Sequence, residues 1–202
     1  MLDYSKQNDW QPDVDYLQSP IDIRQADVSQ EKQRLSFKIE EPLLITIVDN
    51  LGNNLKFSGN GSVEILQRTY QFQQAHFHHP TEHLIGGQAS ALEVHLFFTS
   101  SIGQTLVLAL LFKLGKANDL VQQLIEQKFG DVDLQLPNDS VIYHYLGSLT
   151  TPPLQPGVEW LVVTSADLTL NQGQLDWFTK HFPVNARRVQ PLQKRPIEML
   201  KM

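Results

Sequence analysis

The run Leu106–Leu114 reads as a β-strand buried on both faces, which places it inside a sheet rather than at its border. Other segments join it. Leu43–Val48 is apolar and rich in β-branched residues, and Val158–Val163 has the same character. Thr69–His78 and Ala91–Thr99 are two longer strand segments. Leu55–Phe57 and Val63–Leu66 flank Gly59-Asn60-Gly61, which reads as a hairpin turn. Helical patterning occurs twice. Asn118–Lys128 starts at an Asn cap, repeats apolar residues at Leu120, Val121, Leu124 and Ile125, and has Gly130 beyond its end. Gln172–His181 is shorter and stops before Pro183. Many strands and two helices out of alternation predict a mainly β, α+β fold: a large, mostly antiparallel central sheet with a few peripheral helices. No linker or repeat divides the chain, so residues 1–202 are expected to form a single domain.

Composition narrows the function. Hydrophobic residues make up 41% of the chain and charged residues 19%, enough for a packed core. A net charge of -6 argues against a nucleic-acid partner, which would call for a basic surface. Cysteine is absent, which removes thiolate metal sites, disulfides and cysteine nucleophiles and agrees with a reducing, cytoplasmic compartment. No apolar run approaches the roughly 20 residues of a membrane span, and Met1–Trp10 carries no apolar signal stretch, the alternative to a cytoplasmic protein being a trimmed secreted form.

Of seven histidines, five lie between residues 76 and 95. Strand alternation puts Tyr70, Phe72, Gln74, His76 and His78 on one face of the first long strand, and Glu93, His95 and Phe97 on the face of the second that is not uniformly apolar. If the two strands are neighbours, three imidazoles converge. Three neutral imidazoles with an open fourth position are the ligand set of a catalytic zinc, which lowers the pKa of its water to about 7. Gln74 and Glu93 each precede a histidine by two residues, so each can accept the second ring N–H. Exposed histidines on a polar strand face would show the same spacing.

His79-Pro80-Thr81-Glu82-His83 also matches a His-x-x-Glu-His zinc motif, which requires both histidines on one helical turn. Pro80 and the following Gly86-Gly87 leave hardly any helix there, so His83 reads as a hydrogen-bonded structural residue and His79 as a side chain at a cleft rim. Tyr145–Pro153 is a loop rich in hydroxyls and turn residues. A hydroxyl that donates to a buried carboxylate must accept from a water at the metal, and Glu82 is one candidate carboxylate.

Taken together, Gln18-Ser19-Pro20-Ile21-Asp22-Ile23, His76-Phe77-His78, Glu82-His83, Glu93-Val94-His95-Leu96, Tyr145–Pro153, Trp160 and Asn185-Ala186-Arg187 resemble the α-class carbonic anhydrases, in family order across nearly the whole chain. The short link from His78 to Glu82 resembles bacterial members. The resemblance implies zinc at the base of a conical cleft and reversible hydration of carbon dioxide to bicarbonate and a proton. It implies His76, His78 and His95 as zinc ligands, oriented by Gln74, Glu93 and the backbone of Asn185. Thr150 and Glu82 match the gate-keeping hydroxyl and its acceptor. Val107, Leu149, Trp160, Phe97 and Thr151 match the substrate pocket, and Tyr4 and Asn54 the polar cleft positions. Sulfonamide-type inhibitors are expected ligands; a monomer and a homodimer both remain open.

Three departures stand out. Leu51 occupies the place where many members carry a proton-shuttle histidine. Phe97 is larger than the usual aliphatic residue, which leaves open whether the expected pocket is narrowed, and His79 replaces an aromatic or small polar residue. The alternative function is a catalytically weak or silent binding module of the same family.

Overall fold

The computed structural model describes residues 2–12, 16–132 and 134–202. Its first strands are β1 (Asp22–Ile23), β2 (Val28–Arg34), β3 (Phe37–Asn50), β4 (Leu55–Ile65), β5 (Arg68–His78), β6 (Leu84–Ile85), β7 (Leu92–Ser100) and β8 (Thr105–Leu114). Helix α1 (Asp119–Ile125) follows, then β9 (Gly130–Asp131), β10 (Val141–Ser148), β11 (Pro156–Thr164), β12 (Thr169–Leu170), α2 (Gln172–His181) and β13 (Ile197–Lys201). The large sheet has the order β2-β13-β10-β11-β8-β7-β5-β4-β3-β9, with β12 beside β8. Along that path only β13–β2 and β11–β8 are parallel, so the mostly antiparallel expectation holds.

Strand β8 sits near the middle and explains the two-sided layout. Leu106, Leu108, Leu110 and Phe112 point into the main apolar core, with Phe178 of α2 and Leu120, Val121 and Leu124 of α1. Val107, Ala109 and Leu111 point into a smaller cluster with Trp160, Val162, Tyr145 and Ile21. Both faces are covered, as the unbroken apolar run requires; Lys113 and Leu114 emerge at its end. Neighbouring β7 divides the same way: Leu92, Val94, Leu96 and Phe98 join the main core, and Glu93, His95 and Phe97 turn to the opposite face.

Three local expectations change. Gly59-Asn60-Gly61 is not a turn but the middle of β4, paired along β3. The glycines are there for backbone approach: a Cβ on Gly59 would lie 1.7 Å from the Leu44 carbonyl oxygen, and one on Gly61 2.3 Å from that of Pro42. The turn between the strands is at Leu51–Asn54, closed by Leu51 N donating to Asn54 O at 2.9 Å. In β5, strict alternation would put Phe72 on the histidine face. A bulge between Phe72 and Gln74 shifts the register, so Phe72 joins Ala75 and Phe77 in the main core while Gln74, His76 and His78 share the other face. Helix α1 ends at Ile125, short of Lys128, because Gln127 and Gly130 adopt positive φ. Helix α2 runs over the expected residues, with a full capping box between Asn171 and Gln174 worth about 1 kcal/mol.

Candidate metal centre

The antiparallel register of β5 and β7 sets His76 opposite His95 and His78 opposite Glu93. Three imidazoles therefore meet. Ring centroids are 5.0 Å apart for His76–His78 and His76–His95, and 4.6 Å for His78–His95. One nitrogen from each lies within 4.8 Å of the other two.

The remaining nitrogen of each ring is held by an acceptor. His76 Nδ1 donates to Gln74 Oε1 at 2.9 Å, His78 Nδ1 to the Asn185 carbonyl at 2.7 Å, and His95 Nε2 to Glu93 Oε1 at 2.6 Å. These bonds fix the tautomers. Lone pairs are left at His76 Nε2, His78 Nε2 and His95 Nδ1. His78 Nε2 is fully buried and has no hydrogen-bond partner among the described residues. His95 Nδ1 and His76 Nε2 face each other at 3.3 Å, both unprotonated in these tautomers. Lone pairs that converge without a donor, those of His78 and His95 on buried rings, fit a cation. Burial is the largest cause of the lowered pKa of all three histidines, reinforced at His76 and His78 by neighbouring imidazoles. Neutral rings are the form a metal needs.

Glu93 is saturated. Its Oε1 accepts from His95 and from His83 Nδ1, both at 2.6 Å; its Oε2 accepts the backbone N–H of Glu82 and His83 at 2.8 and 2.9 Å. Although burial alone would raise it, the two histidines hold its pKa well below the ordinary carboxylate value. His83 Nε2 meets the Tyr145 hydroxyl at 2.6 Å, and Tyr145 meets Ser19 Oγ at 2.9 Å. His83 is thus the hydrogen-bonded structural histidine expected, with both nitrogens occupied. Tyr145 and Ser19 stood in the quoted motifs but were assigned no role. A buried Tyr needs a partner for its hydroxyl, and that was the available clue.

No helix forms at His79–His83. His79 is buried, its Nε2 donating to the Phe182 carbonyl at 3.1 Å. It is a packed side chain and not a rim residue, because Pro80 and the Asn185 amide hold its backbone against the segment after α2. Glu82 is also buried. Its Oε1 accepts the Arg187 N–H at 2.8 Å and lies 3.4 Å from His78 Nδ1. Burial and the charge of Glu93 raise its pKa well above the usual value; the Arg187 N–H and the Thr150 hydroxyl act the other way. Thr150 is thereby placed beside Glu82, while Glu82 Oε2 has no hydrogen-bond partner among the described residues.

A cleft of about 420 Å³ opens onto His76 and His78, lined also by Gln74, Tyr4, Leu51, Asn53, Asn54, Lys56, Thr151 and Pro152. The pairs Gln74–Phe97, Phe97–Val107, Val107–Trp160 and Trp160–Tyr145 form one row across the sheet, next to the row His76–His95–Ala109. Phe97, Val107, Trp160 and Leu149 pack together in the smaller apolar cluster, and Trp160 reaches His95 with centroids 5.0 Å apart. Asn54 lines the cleft, but its amide is taken by Phe77, donating to O at 2.8 Å and accepting from N at 3.3 Å. Burial and the charge of Glu82 raise the pKa of Tyr4, which keeps its phenol protonated.

A sequence model of the eukaryotic-type carbonic anhydrases matches residues 5–201. The chain belongs to the α-carbonic anhydrase family. A carbonic anhydrase of Neisseria gonorrhoeae is 32% identical over 196 residues, covering 89% of this chain and 76% of that protein. The crystal structure of the α-carbonic anhydrase of Thermovibrio ammonificans with sulfanilamide superposes with a TM-score of 0.77 at 30% identity, covering 90% and 86% of the two chains. Dioscorin, solved with ascorbate, gives 0.78 at 30% identity over 92% and 86%. Leu51 is half exposed and lines the cleft. No helix of the described residues is long and apolar enough to cross a membrane.

Proposed function

We propose that this chain is a zinc carbonic anhydrase, interconverting carbon dioxide with bicarbonate and a proton, and that His76, His78 and His95 are its zinc ligands. The observation that carries this is the set of three converging lone pairs, each on a ring whose other nitrogen is held by a fixed acceptor. When bound, the zinc supplies the Lewis acidity that makes water a nucleophile at neutral pH.

The protein's own groups do the rest. Gln74, Glu93 and the Asn185 carbonyl hold each ring in one tautomer and orientation. A cation at His78 opposes the upward shift of Glu82 and favours its carboxylate. Thr150 stands beside Glu82; a hydroxyl that donates to this carboxylate would leave its oxygen to accept from the incoming water and aim a lone pair of that water at the substrate. Carbon dioxide is small and apolar, and needs a dry wall rather than a charged clamp. Val107, Leu149 and Trp160 supply that wall, Phe97 narrows it, and Thr151 stands at its cleft side. Tyr4 and Asn54 line the cleft through which water reaches the site.

A silent binding module is disfavoured because the whole ligand set and its acceptors are retained. One sheet carries both apolar clusters and the cleft, which supports reading residues 1–202 as one domain. The lack of cysteine is what supports a reducing, cytoplasmic setting. The bacterial relative and the short His78–Glu82 link support a bacterial-type enzyme. The test is stopped-flow hydration of carbon dioxide by the purified protein. Catalysis that chelation abolishes, zinc restores and sulfanilamide inhibits supports the proposal. A rate no faster than buffer, with one zinc bound, refutes it.

A further inference from the structure

Strand β4 brings one cation into the cleft. The pairing of Phe57 with Ala75 and Ser58 with Gln74, continued by one residue, sets Lys56 opposite His76. Opposed residues share a face, so Lys56, His76 and His95 form one row across β4, β5 and β7. The side chain of Lys56 lines the cleft beside Gln74 and His76. Its charge is felt at His76, where it disfavours a second positive charge. Among the described residues Lys56 makes no ion pair. The nearest acid by register is Asp49, paired with it from β3 and exposed. Among the described residues no carboxylate lines the cleft.

We infer that Lys56 makes this cleft selective for small anions and for ligands with an anionic extension, bicarbonate being the substrate of that class. This rests on the proposed zinc site and adds a specificity residue to it. The physical need is plain. The protein carries a net charge of -6, which repels an anion approaching from solution. An ammonium on the cleft wall reverses that field locally, where low surrounding dielectric and restricted ion access weaken screening. Carbon dioxide, being neutral, gains nothing from it, so the effect falls on the binding of bicarbonate and not on that of carbon dioxide, the ratio of the two kcat/KM values staying fixed by the equilibrium constant. Asp49 opposes Lys56 from the neighbouring strand and sets how large the preference is.

The probes are sulfanilamide and 4-carboxybenzenesulfonamide, alike in the zinc-binding group and in shape but differing in the charge of the tail. Their affinities are measured by calorimetry on the zinc-loaded protein, and the ratio of the two cancels everything common to both. In Lys56→Gln the carboxylate compound should lose about threefold relative to sulfanilamide, and in Lys56→Glu about tenfold, the scale of a partly screened charge pair. Asp49→Asn should shift the ratio about twofold the other way. Half-molar salt should shrink all three shifts. The KM for bicarbonate dehydration should rise in parallel in the Lys56 variants. Lys113→Gln, on β8 and outside the cleft, changes net charge equally and should leave the ratio alone. An unmoved ratio in both Lys56 variants, with sulfanilamide still bound, overturns the inference alone, as does an equal shift in Lys113→Gln. Failure of wild type to bind either compound overturns the zinc site and this inference with it.

Discussion

His95 donates from Nε2 to Glu93 Oε1 at 2.6 Å, so the nitrogen it turns toward His76 and His78 is Nδ1. The other two rings present Nε2. Glu93 also receives His83 and two backbone N–H groups, so its carboxylate ties the metal-facing ring to the Glu82–His83 turn. Glu93→Gln puts an NH₂ among four donors. It should weaken zinc binding 10- to 100-fold, the usual cost of disturbing a ligand's acceptor. His83→Ala removes one of the four donors but no ligand, and should keep one zinc per chain. Competition with a chelator measures both. Unchanged affinity in Glu93→Gln, or metal loss in His83→Ala, would contradict this division of roles.

Thr150 and Glu82 are assigned to orientation, not to metal holding. Thr150→Ala should retain zinc while hydration falls by roughly 10²-fold, the scale of one lost, well-placed hydrogen-bonding group. Sulfanilamide should bind more weakly in the variant. Hydration kinetics equal to wild type would reduce the loop to a turn.

Burial lowers the pKa of His78 to about 3 in the metal-free protein. An unfolded His titrates near 6.5. Between those values the unfolded chain binds the extra proton, so stability contributed by neutral His78 is complete above about pH 6.5 and declines as pH falls toward 3. The slope for one group is at most about 1.4 kcal/mol per pH unit. His76 and His95 shift in the same direction, and Glu82 in the opposite one. Urea unfolding of chelated protein at pH 7.5 and 5.5 should show a lower midpoint at 5.5, with a smaller difference in His78→Gln. Equal pH dependence in the two proteins would show that His78 does not carry the effect.

Proton export should limit turnover. Leu51 stands at the cleft where a group titrating near neutrality is needed, and His79 is packed against Phe182 and does not serve. The maximal rate should therefore climb with the concentration of an imidazole buffer while kcat/KM for carbon dioxide stays nearly constant. Leu51→His should raise turnover in weak buffer and flatten the dependence. A buffer-independent maximum in wild type would reveal another proton route.

Much of this was legible in the sequence because strand alternation is strict where no bulge intervenes. It held along β7, and so Glu93, His95 and Phe97 fell on one face as expected. It held over Gln74, His76 and His78, but failed at Phe72, since a bulge adds a residue without a composition marker. Gly59 and Gly61 misled for a related reason: glycine serves a turn and a close backbone approach alike. The Asn185 carbonyl came only with the family resemblance, because a backbone acceptor 107 residues from His78 leaves no trace in local spacing. Lys56 was missed because it depends on which strand pairs with β5, and in what register.

The central claim is that three imidazoles of β5 and β7 hold one zinc. Metal analysis of the purified protein, beside His95→Ala, tests it most directly. One zinc per wild-type chain and less than a tenth of that in the variant is the predicted result, since two imidazoles cannot close the site. Full zinc occupancy in His95→Ala would contradict it.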